Sequence, residues 1–456
     1  MLHPAHDFLS GRLLIPAARF QRFLRPSRRA AVLAFYKGMH FRKSAVAWSA
    51  EKKTNWILDR LRTVARTAAQ DTVYYRRLFD EIGFDPHADF SFDDYAKLPI
   101  LERQVLVDHG SELISQNIPK AELRPDSTGG STGAPVHIWK GPEERGWGES
   151  GIESFMQQVG VRPGTRTAYF WGHHLDVKSQ PTLLERYHQF ELNVRWFDCF
   201  RLSDSVLARY HDELTKWRPT CIVAYASALA SLAEFLKHRK IRPDYPNGPM
   251  ITGAEKLLPS QREVIEEVFQ RAIHERYGSR DVGGIGFQLN PEMTLAYQID
   301  WADFLVEPEN GTESAIIITK LHGDGMPMLR YRIGDIGSFP RESKSGWPVF
   351  ELDEVIGRIT DRILLQDGRW IHGIQIPHLM KDYPVREFMC IQRSDYSVEV
   401  QIVPHPAFTE ENRLTILRIM QANLPGLNIS TELVEVIPRQ SANKWRPVIS
   451  EVRESQ

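Results

Sequence analysis

Apolar side chains return every third or fourth position between residues 54 and 80. Ile57, Leu61, Val64 and Ala68 fall on one stripe, which predicts a helix over that span. The pattern loosens through Phe84–Phe92 and the phrase LPILERQVLVDH, 98–109. From about residue 165 short apolar runs alternate with helical periodicity. RTAYFW (166–171), CIVAYA (221–226) and AIIIT (315–319) read as strands, and 205–216 and 226–238 read as helices. Ser260 and Glu263 have capping-box spacing, which predicts a helix starting there and running through VIEEVF. Strand–helix–strand rhythm of this kind predicts α/β layers.

After about residue 357 the texture changes. RILLQ and RWIHG flank Asp367-Gly368, a tight-turn pair, and predict a hairpin. SVEVQIV (397–403) and TELVEVI (431–437) alternate as strands, and Thr409 followed by Glu410 and Glu411 opens a helix through Leu424. These elements form a unit of roughly one hundred residues, a usual domain size. Three regions follow: 1–95, a helical region belonging to the large domain; 96–356, its core; and 357–456, a small C-terminal domain. The fold class is α/β, a large N-terminal multi-layer α/β domain with a small C-terminal α+β domain.

Composition narrows the function classes. The 456 residues are 42% hydrophobic and 25% charged, with a net charge of -1 and a pI near 7.0. A dedicated nucleic-acid binder would carry a strongly basic domain, so no nucleic-acid partner is expected. Cys199, Cys221 and Cys390 make no CxxC pair, which suits a reducing, cytoplasmic setting. No apolar run approaches the ~18 residues of a membrane span. The first fifty residues hold nine Lys or Arg and one acid, Asp7, and their longest apolar run, AAVLAFY, stops at Lys37. That pattern is not a signal peptide. Phe20, Phe23 and Leu24 sit at helical spacing beside Arg19, Arg22 and Arg25. The reading adopted is a solvated face on a docked helix; peripheral contact with an anionic membrane is the alternative.

The densest candidate chemistry is DSTGGSTGAPVHIW, 126–139. Gly129-Gly130-Ser131-Thr132-Gly133 fits G-x-S-x-G, but a nucleophile elbow needs a strand before the serine and a helix after it. Here Lys120–Pro125 is polar and charged, and Pro135–Trp139 reads as a strand. No GK[ST] follows, so the Walker pattern fails too. What remains is a glycine-rich loop whose N–H groups and hydroxyls can hold an anion. His173 and His174, after TAYFWG, read as a polar loop end rather than as pocket residues.

Four later phrases change the weight of that loop. They are Tyr277-Gly278-Ser279-Arg280-Asp281, Tyr331-Arg332-Ile333-Gly334-Asp335, Gly357-Arg358-Ile359-Thr360-Asp361 and Lys444-Trp445-Arg446-Pro447-Val448. In that order they resemble the adenylate-forming superfamily of acyl-CoA ligases, adenylation domains and luciferases. The resemblance is strongest to its phenylacetate–CoA ligase branch, which includes capsular-polysaccharide-associated members, and it runs from LPILERQ to VISEV.

The resemblance implies roles. Ser127, Thr128, Gly129, Gly130, Ser131, Thr132 and Gly133 would hold the ATP phosphates. Gly253, Ala254 and Glu255 would line the adenine and acyl pockets. Tyr277 would lie against adenine, with Gly278 and Ser279 in the same nucleotide-binding turn. Asp281 stands where the family usually has glutamate, near Mg²⁺ and the phosphates. Asp335 would bond the ribose, and Arg358 would contact the nucleotide. Asp361 would be the hinge on which a mobile small domain turns, and Lys444 would reach the α-phosphate during adenylation. Asn443 replaces the family's usual glycine. Residues 283–300 contain no Cys or His, so the structural zinc of some relatives is not expected.

The implied activity is AMP-forming activation of a small carboxylic acid by ATP, through an acyl-adenylate, with transfer to CoA. The alternative is transfer to an amine or a sugar hydroxyl in polysaccharide or natural-product assembly. The chemistry suits these residue types. Carboxylate and ATP are both anions, so Mg²⁺, loop N–H groups and a lysine must neutralise charge as they meet.

Overall fold

The stripe of Ile57, Leu61, Val64 and Ala68 is buried in the computed structural model, inside a helix spanning Ala50–Asp71. The described residues are 7, 10–128, 136–171, 182–199, 202–340, 348–358, 362–366, 370–372, 375–380, 383–437 and 448–452. The single helix expected over 54–80 is two helices. Thr72 leaves helical space (φ -122°, ψ 145°), and its hydroxyl accepts from Tyr75 N to cap the next helix, Val73–Ile82. A threonine that can cap competes with helix continuation, which periodicity alone does not register. A comparable shift occurs later. The helix Pro259–Phe269 starts at a proline, and Gln261 rather than Glu263 bonds back to the backbone at Leu258.

Two N-terminal helices, Ile15–Leu24 and Pro26–Ala45, precede these. The second buries Ala34, Phe35 and Gly38 against the helix Pro142–Gln158. A Cβ at Gly146 would meet Ala31 O and Ala34 Cβ, each at 2.5 Å, so glycine sets this approach. Arg42 closes the contact with a two-pronged bond to Asp300, at 3.0 and 2.6 Å. On the first helix Phe20 and Leu24 face solvent. No helix among the described residues is long and apolar enough to cross a membrane.

The glycine-rich stretch is framed by an antiparallel hairpin, β1 (Arg124–Thr128) and β2 (Val136–Lys140), with Ser127 opposite His137. The polar, charged run before the loop thus ends in a strand that pattern reading missed. β3 (Thr167–Phe170), β4 (Val194–Phe197), β5 (Cys221–Tyr225), β6 (Met250–Gly253) and β7 (Ile273–Ser279) follow. After them come β8 (Gly283–Phe287), β9 (Tyr297–Ile299), β10 (Phe304–Pro308), β11 (Glu313–Lys320), β12 (Tyr331–Ser338), β13 (Glu351–Leu352) and β14 (Glu354–Arg358). An eight-stranded sheet runs in the order β13-β9-β8-β7-β6-β5-β3-β4. The strands from β4 to β7 are parallel, and β8, β9 and β13 add antiparallel. β5 is buried on both faces, as a parallel central strand must be. One face packs Ile222 and Ala224 against helices Asp204–Trp217 and Ala226–His238; the other packs Cys221 and Val223 against Phe155.

The chain divides into two compact units, Met1–Ile333 with Ser338–Glu354, and Gly334–Gly337 with Val355–Gln456. The second unit contains the hairpin β15 (Arg362–Leu364) and β16 (Trp370–His372). It also contains a sheet of β17 (Val385–Gln392), β18 (Val398–Pro404), β19 (Ile429–Leu433) and β20 (Val448–Ser450), ordered β19-β18-β17-β20. Thr409 caps the helix Glu410–Asn423 that covers this sheet through Ile416 and Met420. β19 stops at Leu433, short of the expected 437, where Glu435 and Val436 turn outward. The molecule is therefore a mixed α/β protein with a small α+β unit.

Candidate active site

Lys140 brings the first two candidate segments together. It ends β2, and its Nζ donates to the carbonyl of Arg280 at 2.7 Å and to Asp126 Oδ2 at 3.3 Å. The base of the glycine-rich hairpin is thereby tied to the Tyr277–Asp281 turn, 140 residues away in sequence. Gly129, Gly130, Ser131, Thr132 and Gly133 lie outside the described residues, and of Ser127 and Thr128 the backbone is described.

The turn itself is built by glycine and by a buried lysine. β7 runs into β8 as a hairpin, and the carbonyl of Gly283 lies where a Cβ at Gly278 would sit. Ser279 Oγ accepts from Val282 N at 3.4 Å. Behind the turn, Lys320 Nζ donates to Val282 O at 2.5 Å and pairs with Glu144 at 3.3 Å. Asp303 lies 3.8 Å from the same ammonium. Burial pushes the Asp303 carboxyl up to about 6, against the pull of Lys320, and raises Glu144 as well.

Asp281 is buried, and its Oδ2 accepts from the Tyr331 hydroxyl at 2.8 Å. Arg103 Nη1 lies 3.9 Å from the same oxygen. Burial and the neighbouring carboxylate raise the Tyr331 phenol, so it stays a donor. Oδ1 has no protein partner among the described residues. No cluster of three metal-binding side chains occurs among the described residues. One carboxylate with an open oxygen still suits Mg²⁺ carried largely by phosphates, since that ion keeps waters and takes few protein ligands.

Gly253, Ala254 and Glu255 leave the end of β6. Ala254 holds a left-handed φ of 67°, a conformation that costs about 1–3 kcal/mol outside glycine and so needs its surroundings to hold it. The bend sends Glu255 to the start of the helix Ala226–His238, where Oε2 accepts from Ser227 N at 3.0 Å. A carboxylate is favoured there by the helix dipole. Tyr277 is buried, edge-on to Tyr297 with ring centroids 6.2 Å apart. Glu275, two residues earlier on the same face of β7, is held by Arg262 at 3.1 Å and Leu257 N at 3.2 Å.

The second unit holds the remaining candidates. Asp335 is buried and follows Gly334, whose φ is 86°. The backbone of Arg358 ends β14. Asp361, Asn443 and Lys444 lie outside the described residues, as do His173 and His174.

The structure therefore gathers the glycine-rich hairpin and the Tyr277–Asp281 turn on one unit, beside three side chains to which sequence reading gave no role. Tyr331 and Arg103 belong to the phrases YRIGD and LPILERQ, so their signal was present without an assignment. Lys140 carried none, because a lysine ending an exposed-looking strand reads as solvated.

Residues 363–451 match the CapK C-terminal domain. The chain is 21% identical over 344 residues to protein CapK of Staphylococcus aureus, covering 73% of this chain and 76% of that protein. It is 23% identical over 436 residues to a phenylacetate-coenzyme A ligase of Thermus thermophilus, covering 86% and 95%. Among solved structures, 2-hydroxyisobutyryl-CoA ligase in the postadenylation state, in complex with R3-HIB-AMP, aligns with a TM-score of 0.67. Its identity is 18%, over 89% of this chain and 90% of that one. Anthranilate CoA ligase AuaEII in complex with anthranoyl-AMP aligns with a TM-score of 0.51 at 12% identity, over 73% and 66%.

Proposed function

We propose, from the premise that this chain shares its fold and its sequence relatives with the adenylate-forming ligases, that it activates a small carboxylic acid with ATP and transfers the acyl group to CoA. The observation that carries the reading is the bond from Lys140 to the Arg280 carbonyl. It joins the only glycine-rich, hydroxyl-rich loop of this kind in the sequence to the turn that bears Asp281. A phosphate held by loop N–H groups would then lie beside that carboxylate.

Each residue has a task in this scheme. Loop N–H groups and hydroxyls bind the ATP phosphates. Tyr331 and Arg103 fix the Asp281 carboxylate. Asp281 would hold Mg²⁺, which would supply charge neutralisation as the two anions meet. The acid's carboxylate oxygen attacks the α-phosphorus, the bond to the β-phosphate bridging oxygen breaks, and pyrophosphate leaves. Lys444 stabilises the charge on the pentavalent phosphorus. The thiol then attacks the acyl carbon, and AMP departs with the bonding pair. Asp335 would hold the ribose and Arg358 the nucleotide, with Asp361 as the pivot between half-reactions.

A second reading keeps adenylation and changes the acceptor to an amine or a sugar hydroxyl. It stands beside the first because the residues described serve adenylation, and the acceptor enters only in the second half-reaction. One experiment addresses both. AMP release is followed with a panel of acids, with and without CoA, for the natural chain and Lys444→Ala. Acid-dependent AMP that multiplies on adding CoA and falls by about 10²–10³ in Lys444→Ala supports the first reading. Acid-dependent AMP indifferent to CoA supports the second. AMP release unchanged in Lys444→Ala refutes the role given to that lysine.

A further inference from the structure

Arg276 stands one residue before Tyr277 and is the unexplained charge of this region. Its side chain lies across Gly253: a Cβ there would come within 2.8 Å of Arg276 Cγ and 3.0 Å of Nε. Glycine at 253 therefore makes room for it. The guanidinium carbon reaches 4.6 Å from the centroid of the Trp171 ring. Trp171 packs in turn on Tyr225, with centroids 4.6 Å apart. Burial lowers the pKa of Arg276, and the groups that face it are Tyr169, Tyr225 and Cys221, all neutral at pH 7.

No carboxylate among the described residues pairs with it. The acid facing Tyr169 is Glu153, which pairs with Arg19 at 3.4 Å. Glu255 is taken by Ser227 N. Glu275 points to the opposite face, where Arg262 holds it. Arg276 is half-buried, and a guanidinium lying on an aromatic ring with no carboxylate pairing it among the described residues is available to an incoming anion.

The place is informative. Trp171, Tyr225 and Gly253 stand at the carboxyl ends of β3, β5 and β6, and Arg276 is level with them on β7. Ligands of open parallel sheets bind in the crevice outside these ends. Arg276 also stands three residues before Ser279 on one extended strand, roughly 10 Å from the phosphate-side turn. Its guanidinium lies against Trp171.

We infer that this crevice is the acyl subsite and that Arg276 binds a second anionic group, so that the acid activated is a dicarboxylic acid or a similarly dianionic one. Trp171, Tyr169 and Tyr225 would enclose the carbon chain or ring between its two ends. The inference rests on the adenylation reading and names its substrate class. Arg276 is then a specificity-determining residue, silent in the attack on phosphorus.

The test uses matched pairs of acids, adipate against hexanoate and terephthalate against benzoate, with the full chain, Arg276→Met and Arg276→Lys. The natural chain is expected to favour the diacid by about 100-fold in kcat/KM. Arg276→Met should lose that preference, its kcat/KM falling far more on the diacid than on the monoacid, and Arg276→Lys should restore part of it. Preference for monoacids, or an equal fall on both members of a pair, overturns the inference and leaves the adenylation reading standing. If no acid releases AMP, that reading fails. The subsite is then judged by whether a diacid raises the melting temperature of the natural chain and not of Arg276→Met; no rise ends it. Arg276→Met should also melt no lower than the natural chain, since a purely structural arginine would destabilise on removal.

Discussion

Removing the Tyr331 hydroxyl isolates the contact that holds Asp281. Tyr331 is 1% exposed and Asp281 is 7% exposed, so water cannot replace the lost donor. The bond is 2.8 Å long and charge-assisted. Such bonds contribute about 1.5–3 kcal/mol when one partner is ionised. Arg103, at 3.9 Å, is too distant to replace it by a hydrogen bond. Tyr331→Phe should therefore destabilise by about 2 kcal/mol. Asp281→Ala should destabilise too, and the double variant should fall short of the sum by about 2 kcal/mol of coupling.

The assay is urea unfolding of the four proteins, read by tryptophan fluorescence, beside AMP release with the preferred acid. A carboxylate that drifts when its donor is lost should lower kcat/KM in Tyr331→Phe by about 30-fold, the equivalent of the same 2 kcal/mol in the barrier. Coupling below about 0.5 kcal/mol would show that the two groups act independently. Lost stability with unchanged AMP release would separate folding from positioning and refute the positioning role.

Two further outcomes follow from the surroundings of the turn. Asp303 has a folded-state pKa raised to about 6 from 3.8, so its contribution to stability is present below about pH 4 and is lost as pH rises through 6. The stability difference between the natural chain and Asp303→Asn should therefore shrink by up to about 3 kcal/mol between pH 4 and pH 7. Melting curves at a series of pH values check this, and a pH-independent difference would rule it out. Gly278→Ala drives a Cβ into the Gly283 carbonyl and should cost about 1–3 kcal/mol. Gly148→Ala, on a helix with nothing nearer than 3.8 Å, should instead stabilise by up to about 1 kcal/mol. Equal effects of the two alanines in urea unfolding would contradict the packing argument.

Strands with dense β-branched runs were readable because burial on both faces leaves no polar position. CIVAY and AIIIT are of this kind, and both are core strands. Boundaries set by single hydrogen bonds were not readable. Thr72 splits a continuous apolar stripe by capping the second half, and Gln261 displaces the expected Ser260–Glu263 box because the helix opens on Pro259. β1 escaped because its residues are polar. Pairing with β2 gives it strand geometry, and no hydrophobic alternation marks it.

The candidate site divides along the same physical line. A nucleotide has a fixed shape, so the segments that would hold it are contiguous phrases: a glycine-rich loop, a turn ending in Asp281, a glycine before Asp335. Such phrases can be read in order along one chain. An acyl crevice is drawn differently. The one inferred would take one residue from the end of each strand, here Trp171, Tyr225, Gly253 and Arg276, spaced by whole helices in the sequence. Nothing in their immediate neighbours marks them as a set. The mark that matters for Arg276 is that no carboxylate among the described residues pairs with it. Sequence shows acids nearby, Glu255 and Glu275 among them, and suggests a paired arginine. The structure shows each of those acids bonded elsewhere, and that difference turns an ordinary strand residue into a statement about the charge of the substrate.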